Sequence, residues 1–61
     1  MEHTLYFRVE KETKGAVRYK EVTQGGADVF DPKVGTLYVR KSAMAAAGKV
    51  IESLVVTIKG A

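Results

Sequence analysis

Residues 36–48 read TLYVRKSAMAAAG, and the sequence pattern changes abruptly within this stretch. The first residues alternate, with Leu37 and Val39 on one face, and this period of two predicts a β-strand. Two adjacent cations, Arg40 and Lys41, then precede a serine and an alanine-rich run. Their position is unusual, because the N-terminal end of a helix already carries partial positive charge.

The alanine-rich run predicts a short helix over residues 43–47. Ser42 is a favourable N-cap, and Gly48 is a favourable residue for the C-terminal turn. A helix of little more than one turn is unstable by itself. We therefore expect Met44 and Ala47, three residues apart, to hold it against the core by packing.

Alternating segments on both sides of this stretch predict further strands. Residues 4–9 (TLYFRV) and 16–22 (AVRYKEV) are separated by the charged segment 10–15. This arrangement predicts two antiparallel strands joined by a loop of about three to five residues, in which Gly15 can adopt a positive φ. Residues 51–59 (IESLVVTIK) predict the final strand.

Residues 23–35 (TQGGADVFDPKVG) form the long connection between the second and third strands. A Gly-Gly pair and an Asp-Pro dipeptide mark turns within it. The apolar pair Val29 and Phe30 is expected to cover an edge of the core or to add a brief strand.

Together these elements predict a single small β-rich domain over residues 1–61. The predicted fold is mainly β: a small antiparallel sheet or half-barrel of four to five strands, with one short helix before the last strand. A chain of this length buries only about 60% of the surface that its unfolded form exposes. It has no cysteine and one histidine, so neither disulfides nor a metal is expected to support it, and a homodimer is the remaining expectation.

The alternation also predicts the composition of the two sheet faces. The face expected to form the core contains apolar residues and one tyrosine: Leu5, Phe7, Val9, Val17, Tyr19, Leu37, Val39, Leu54, Val56 and Ile58. The opposite face is expected to present cations, tyrosines and a threonine: Tyr6, Arg8, Arg18, Lys20, Tyr38, Arg40, Thr57 and Lys59. Glu10 is the only acid expected near this opposite face.

Cations interleaved with aromatic rings on a sheet favour nucleic-acid binding, because cations contact phosphates and rings can stack on bases. The chain has ten Lys and Arg residues against seven Asp and Glu, a formal net charge of +3 that suits an anionic partner. Phosphate contacts are predicted for five cations, with Lys59 as a further candidate: Arg8, Arg18, Lys20, Arg40 and Lys41. Tyr6 and Tyr38 are the predicted stacking surfaces. Two alternatives remain, namely a dimer or protein contact through the tyrosines and a plain solvated face.

Arg40 and Lys41 raise a narrower question at the predicted helix start. No acid lies in the first turn of that helix to offset their charge. A phosphate bound there would be favoured by both the cations and the exposed N–H groups. The alternative is that both side chains extend into water.

The sequence does not contain a recognisable set of catalytic residues. No thiol is present, His3 lies near the N-terminus, and Ser42 is better explained as a cap, so a nucleophile, base and orienting acid cannot be assembled. Asp28 and Asp31 lack the number and spacing of calcium ligands. We expect no catalysis, cofactor, metal or small-molecule substrate. Neither a signal peptide nor a membrane span is evident, and a cytoplasmic location is expected.

Residues 35–58 resemble the swapped-hairpin DNA-binding domains of the AbrB type. The resemblance is carried by glycines, a lysine and apolar positions around the strand–helix–strand segment: Gly35, Leu37, Val39, Lys41, Ala43, Ala47, Gly48, Leu54, Val56 and Ile58. Arg40 stands where that family usually has proline, and Val50–Ser53 replaces its Gly-Asp turn. The resemblance implies an intertwined dimer that contacts DNA through basic residues at strand ends, with Arg40 and Lys41 as first candidates.

Overall fold

A computed structural model describes residues 1–61 and contains one antiparallel sheet. The elements are β1 (Glu2–Glu12), β2 (Ala16–Val22), β3 (Thr36–Arg40), a 3₁₀ helix (Lys41–Ala47) and β4 (Ser53–Lys59). The strand order is β3-β2-β1-β4, and the sheet curls into a half-barrel. The predicted mainly β fold is confirmed, with four strands and the helix before the last one. No helix is long and apolar enough to span a bilayer.

The core lies on the face of the sheet that the alternation predicted. Phe7 is paired with Leu54 and Tyr19 with Leu37, so their side chains share one face. The buried cluster and the residues packed against it are Leu5, Phe7, Val17, Tyr19, Met44, Leu37, Val39, Val50, Ile51, Leu54, Val56 and Ile58. Val9 faces the same side opposite Tyr19 but is 37% exposed, so its expected place in the core is wrong.

The helix is confirmed in position and differs in detail. It is a 3₁₀ helix that follows Arg40, and no side chain caps its start, so Ser42 does not act as the N-cap. Gly48 ends it with a φ of +72°, as expected, and Met44 is buried. Ala47 is exposed, contrary to expectation. A 3₁₀ helix advances about 2 Å per residue, so Ala47 lies one turn beyond Met44 and its methyl group does not reach the core.

The β1–β2 loop contains three residues, within the predicted length. Thr13 closes it: its N–H donates to the Ala16 carbonyl at 2.8 Å, and its hydroxyl donates to the same oxygen at 2.9 Å. Gly15 does not have a positive φ, so that expectation is wrong. The threonine contacts hold the loop without a left-handed residue at this position.

The long connection is held at both ends by polar contacts rather than by apolar burial. An isolated bridge joins Asp28 to Val22, and the Ala27 N–H donates to the Thr23 hydroxyl at 3.1 Å. Near the other end, the buried Glu21 carboxylate accepts hydrogen bonds from the backbone of residues 33–35. Phe30 is fully exposed and does not cover the core, Val29 is half-buried, and neither residue lies in a strand.

Candidate nucleic-acid interface

The face of the sheet opposite the core carries a contiguous group of cations. Arg8 of β1 lies directly opposite Lys20 of β2, and the next outward pair toward the hairpin loop is Lys11 with Arg18. Directly opposed residues on one face lie about 4.5–5.5 Å apart at Cβ. We call the cations on this half of the outer face the basic face: Arg8, Lys11, Arg18, Lys20 and Arg40.

Lys11 belongs to the basic face because β1 contains a bulge. Val9 pairs with Tyr19 on the core side, but two positions later Lys11 pairs with Arg18 on the outer side, so the register shifts at Glu10. A bulge places one extra residue in a strand and reverses the alternation beyond it. Strict alternation would have put Lys11 on the core side, which is why the sequence did not indicate it as a binding residue.

Tyr38 extends the basic face on β3. It lies directly opposite Arg18 and two residues before Arg40, and it is 61% exposed. The neighbouring Tyr38 hydroxyl and the charge of Glu10 both raise the pKa of Arg18. An exposed ring beside cations is the arrangement that base stacking requires.

Two carboxylates neutralise part of the basic face. The Lys20 ammonium lies 2.6 Å from Asp28 Oδ1, and Arg18 Nε lies 3.1 Å from Glu10 Oε1 without forming a hydrogen bond there. Hydrogen bonding and charge attraction lower the pKa of Asp28 and raise that of Lys20. The expectation that Glu10 is the only nearby acid is wrong, because the Val22–Asp28 bridge returns the connection to the sheet.

These two ion pairs do not prevent an anion from binding to the basic face. Exposed pairs contribute about 0–1 kcal/mol and are screened by salt. Arg8, Lys11 and Arg40 form no ion pair. Five cations against two carboxylates leave a local excess of three positive charges on this face. Lys14, Lys33 and Lys49 form no ion pair either, but they lie in loops, so every strand cation without an ion pair lies on this half of one face.

Lys41 and Lys59 lie outside the basic face. Lys59 is paired with Glu2 at the far end of the β1–β4 ladder, with 3.9 Å between the ammonium and Glu2 Oε2. The Lys41 ammonium lies 2.9 Å from Glu12 Oε1, and Glu12 faces the core side because it pairs with Val17. Of the predicted phosphate-contacting residues, these two are not brought together with the others.

Contacts within the chain account for the adjacent cations at the start of the 3₁₀ helix. The Lys41 N–H donates to the Gly15 carbonyl at 3.0 Å, and Glu12 of β1 supplies the negative charge that the first turn lacks. The sequence could not indicate this, because the acid comes from a strand 29 residues earlier in the chain. The positions of the two cations therefore do not require a bound phosphate.

Tyr6 is separated from Tyr38 and has a different environment. It is half-buried between Val22 and Val55, which lie directly opposite it on the two neighbouring strands. Beside it, a groove of about 320 Å³ runs between β4 and the turn at residues 23–26. Arg8 lies at this groove and packs against Gly26, where an added Cβ atom would be 3.1 Å from Arg8 Nη1.

Comparison of this chain with protein-family models, with curated proteins and with solved structures finds no match. The resemblance of residues 35–58 to AbrB-type domains therefore stays a prediction. No three His, Cys, Asp or Glu side chains lie close enough together to hold a metal ion.

Proposed function

We propose that this protein is a small, non-enzymatic nucleic-acid-binding domain that works in the cytoplasm. The basic face contacts phosphates, and Tyr38 provides a surface for stacking. One observation carries the proposal: three cations without an ion pair, Arg8, Lys11 and Arg40, lie together on a face where Tyr38 is 61% exposed.

The arrangement of the cations favours backbone contacts over base reading. Arg8, Lys11 and Arg40 extend across β1 and β3 without ion pairs, and Arg18 and Lys20 lie between them on β2. Their two exposed carboxylate partners can be replaced by phosphates at little cost, because exposed ion pairs are weak. Affinity is therefore expected to depend on charge and to fall with salt.

The test is a fluorescence anisotropy titration with short labelled single- and double-stranded oligonucleotides at 50 and 200 mM salt. Binding at 50 mM that weakens by tenfold or more at 200 mM is the expected result, since release of several counterions gives a steep dependence. Arg40→Glu should weaken binding, whereas Lys49→Glu, which changes an exposed unpaired cation after the 3₁₀ helix by the same charge, should not. No association with any oligonucleotide at 50 mM would overturn the proposal.

A second proposal, that the chain also acts as a homodimer, is supported by the free edge of β4. This strand has seven residues, contains no proline, and pairs with β1 in an uninterrupted register. Its other edge is unpaired, and Leu54, Val56 and Ile58 on its core side are only half-buried. Long regular edges of this kind are templates for pairing with another chain.

The proposed partner at this edge is a second copy of the chain. Only seven residues of 61 are buried, so the monomer has a small core that pairing would extend across the junction. If β4 pairs antiparallel with β4 of the second copy, the two four-stranded sheets join into one eight-stranded sheet. A two-fold axis perpendicular to this sheet relates the two copies. Both basic faces then lie on the same side.

Sedimentation velocity between 5 and 500 µM tests the dimer. Val55→Lys places a charge on the exposed part of β4, and Val34→Lys places the same charge on an exposed loop residue as the control. The wild type and Val34→Lys should dimerise, and Val55→Lys should sediment as a monomer. A monomeric wild type at every concentration, or a dimer unaffected by Val55→Lys, contradicts pairing through β4.

A further inference from the structure

The groove beside the basic face has an apolar floor on a face that is otherwise polar. Tyr6 lies between Val22 and Val55 in register, so the three side chains form a row across β2, β1 and β4. Val22 is covered by the following turn, whereas Val55 is 66% exposed. A ring flanked by a valine open to solvent is a platform on which a planar apolar ligand can lie.

The upper part of the groove is polar and positively charged. Arg8 follows Tyr6 by two positions on the same face of β1, lies opposite Ser53, and forms no ion pair. Gln24 lines the same groove and brings an amide that can both donate and accept hydrogen bonds. The site therefore combines an aromatic surface, a free guanidinium and neutral hydrogen-bonding groups.

The turn at residues 23–26 is built to leave Arg8 room. Gly26 has a φ of +90°, and its N–H donates to the Thr23 carbonyl at 2.8 Å. A side chain at this position would be strained and would press on the Arg8 guanidinium, 3.1 Å from the added Cβ. The turn thus forms one wall of the groove, with Gly26 against the end of the Arg8 side chain.

We propose that this groove binds a single unstacked nucleobase, with Tyr6 under the base and Arg8 on the adjacent phosphate. This proposal rests on the proposed function and makes it more specific: the preferred partner is single-stranded nucleic acid. The groove volume of about 320 Å³ lies at the lower end of small-ligand sites, which suits one base with part of its sugar. A base in a duplex is stacked and paired, and flipping it out has a free-energy cost that a single strand does not have to supply.

The experiment compares two labelled strands of the same length and phosphate number in the anisotropy titration. One strand carries bases, and the other is abasic throughout. Phosphate contacts are the same for both, so the ratio of the two affinities measures what the bases contribute. We expect the strand with bases to bind about tenfold or more tightly, the amount that stacking of one base supplies.

The Tyr6→Leu variant tests whether the bases are bound in the groove, because it removes the ring and keeps an apolar side chain on the groove floor. Thr57→Leu, on the same face of β4 but outside the groove, is the control. Tyr6→Leu should lower the ratio by about fivefold or more, leaving what stacking on Tyr38 contributes, without changing the affinity for the abasic strand, and Thr57→Leu should leave the ratio unchanged. Amide ¹⁵N–¹H spectra should show larger shifts of Gly25 and Gly26 with the strand that has bases than with the abasic one.

Each result decides between the two proposals. Equal binding of both strands overturns the base site while leaving phosphate binding intact. Tighter binding of the strand with bases that Tyr6→Leu does not change also overturns it, because the bases then contact another surface. No binding of either strand overturns the proposed function and the base site together.

Discussion

At the scale of single residues, Glu21 shows which contacts could be predicted from the sequence and which could not. Alternation in β2 places it on the same face as Val17 and Tyr19, so a carboxylate facing the core could be predicted. Its partners could not, because they are backbone N–H groups 12 to 14 residues later in the chain: Lys33, Val34 and Gly35 donate at 3.3, 2.8 and 3.0 Å. The side chain is only 5% exposed.

The three donors determine how Glu21 titrates. Burial raises the pKa of the carboxyl, but the hydrogen bonds from Gly35, Val34 and Lys33 outweigh burial, and the pKa lies below its ordinary value of 4.5. Because the pKa of Glu21 is lower in the folded state than in the unfolded state, its carboxylate stabilises the folded protein at pH values above the unfolded-state pKa. This stabilisation is lost as the pH falls through the folded-state pKa.

Glu21→Gln should therefore lower the free energy of unfolding by about 1–3 kcal/mol at pH 7, because an amide oxygen replaces a charged acceptor of three N–H groups. Glu52→Gln, at an exposed carboxylate without an ion pair, should change it by less than about 0.5 kcal/mol. Urea unfolding at several pH values measures both. The penalty for Glu21→Gln should shrink below about pH 4.5, and a penalty independent of pH would contradict the assigned role.

Gly35 is the residue whose backbone completes this contact. Its φ is +86°, and its carbonyl accepts the Glu21 N–H at 2.9 Å while its own N–H donates to the Glu21 carboxylate. Gly35→Ala should cost about 1–2 kcal/mol, since left-handed backbone is unfavourable for alanine. Gly15→Ala is the matched control, because neither glycine has an atom within 4 Å of an added Cβ but only Gly35 has a positive φ. Equal thermal unfolding midpoints for the two variants would refute this account.

At the scale of elements, the strands could be predicted from alternation, and their irregularities could not. The faces of β2, β3 and β4 follow from the period of two. The bulge in β1 reverses that period at Glu10, and nothing in the charged segment 10–15 indicates it. The helix type was also beyond the sequence, because a single capping serine predicts an α-helical start that the chain does not use.

Tyr19 connects β2 to the segment between the 3₁₀ helix and β4. Its hydroxyl donates to the Ile51 carbonyl at 2.5 Å and lies 3.2 Å from Met44 Sδ, and burial raises its pKa. The helix and the residues after it are therefore held by a buried polar contact in addition to apolar packing.

Tyr19→Phe should lower the free energy of unfolding by about 1–2 kcal/mol, because it leaves the part-buried Ile51 carbonyl without its donor. Tyr38→Phe removes the same hydroxyl from an exposed ring and should have an effect within about 0.5 kcal/mol. Chemical unfolding of the two variants gives the comparison. A larger effect at Tyr38 than at Tyr19 would mean that the core contact does not support the helix.

At the scale of the whole molecule, the distribution of charge matters more than its amount. Alternation predicted most of the basic face, including Arg8, Arg18, Lys20 and Arg40. It did not predict the pairing of Lys20 with Asp28 or of Lys41 with Glu12, because both acids approach through tertiary structure. These pairs leave Arg8, Lys11 and Arg40 as the strand cations without an ion pair, and all three lie on the same half of one face.

The salt dependence of binding tests that claim most directly. Two double variants remove the same total charge: Arg8→Ala/Arg40→Ala from the basic face, and Lys33→Ala/Lys49→Ala from exposed positions outside it. The slope of log K against log salt for a single-stranded oligonucleotide is measured for both and for the wild type. The basic-face variant should lose about 1.4 from the magnitude of the slope, and the control should keep the wild-type slope. Equal slopes for the two variants would contradict a phosphate-binding face on this half of the sheet.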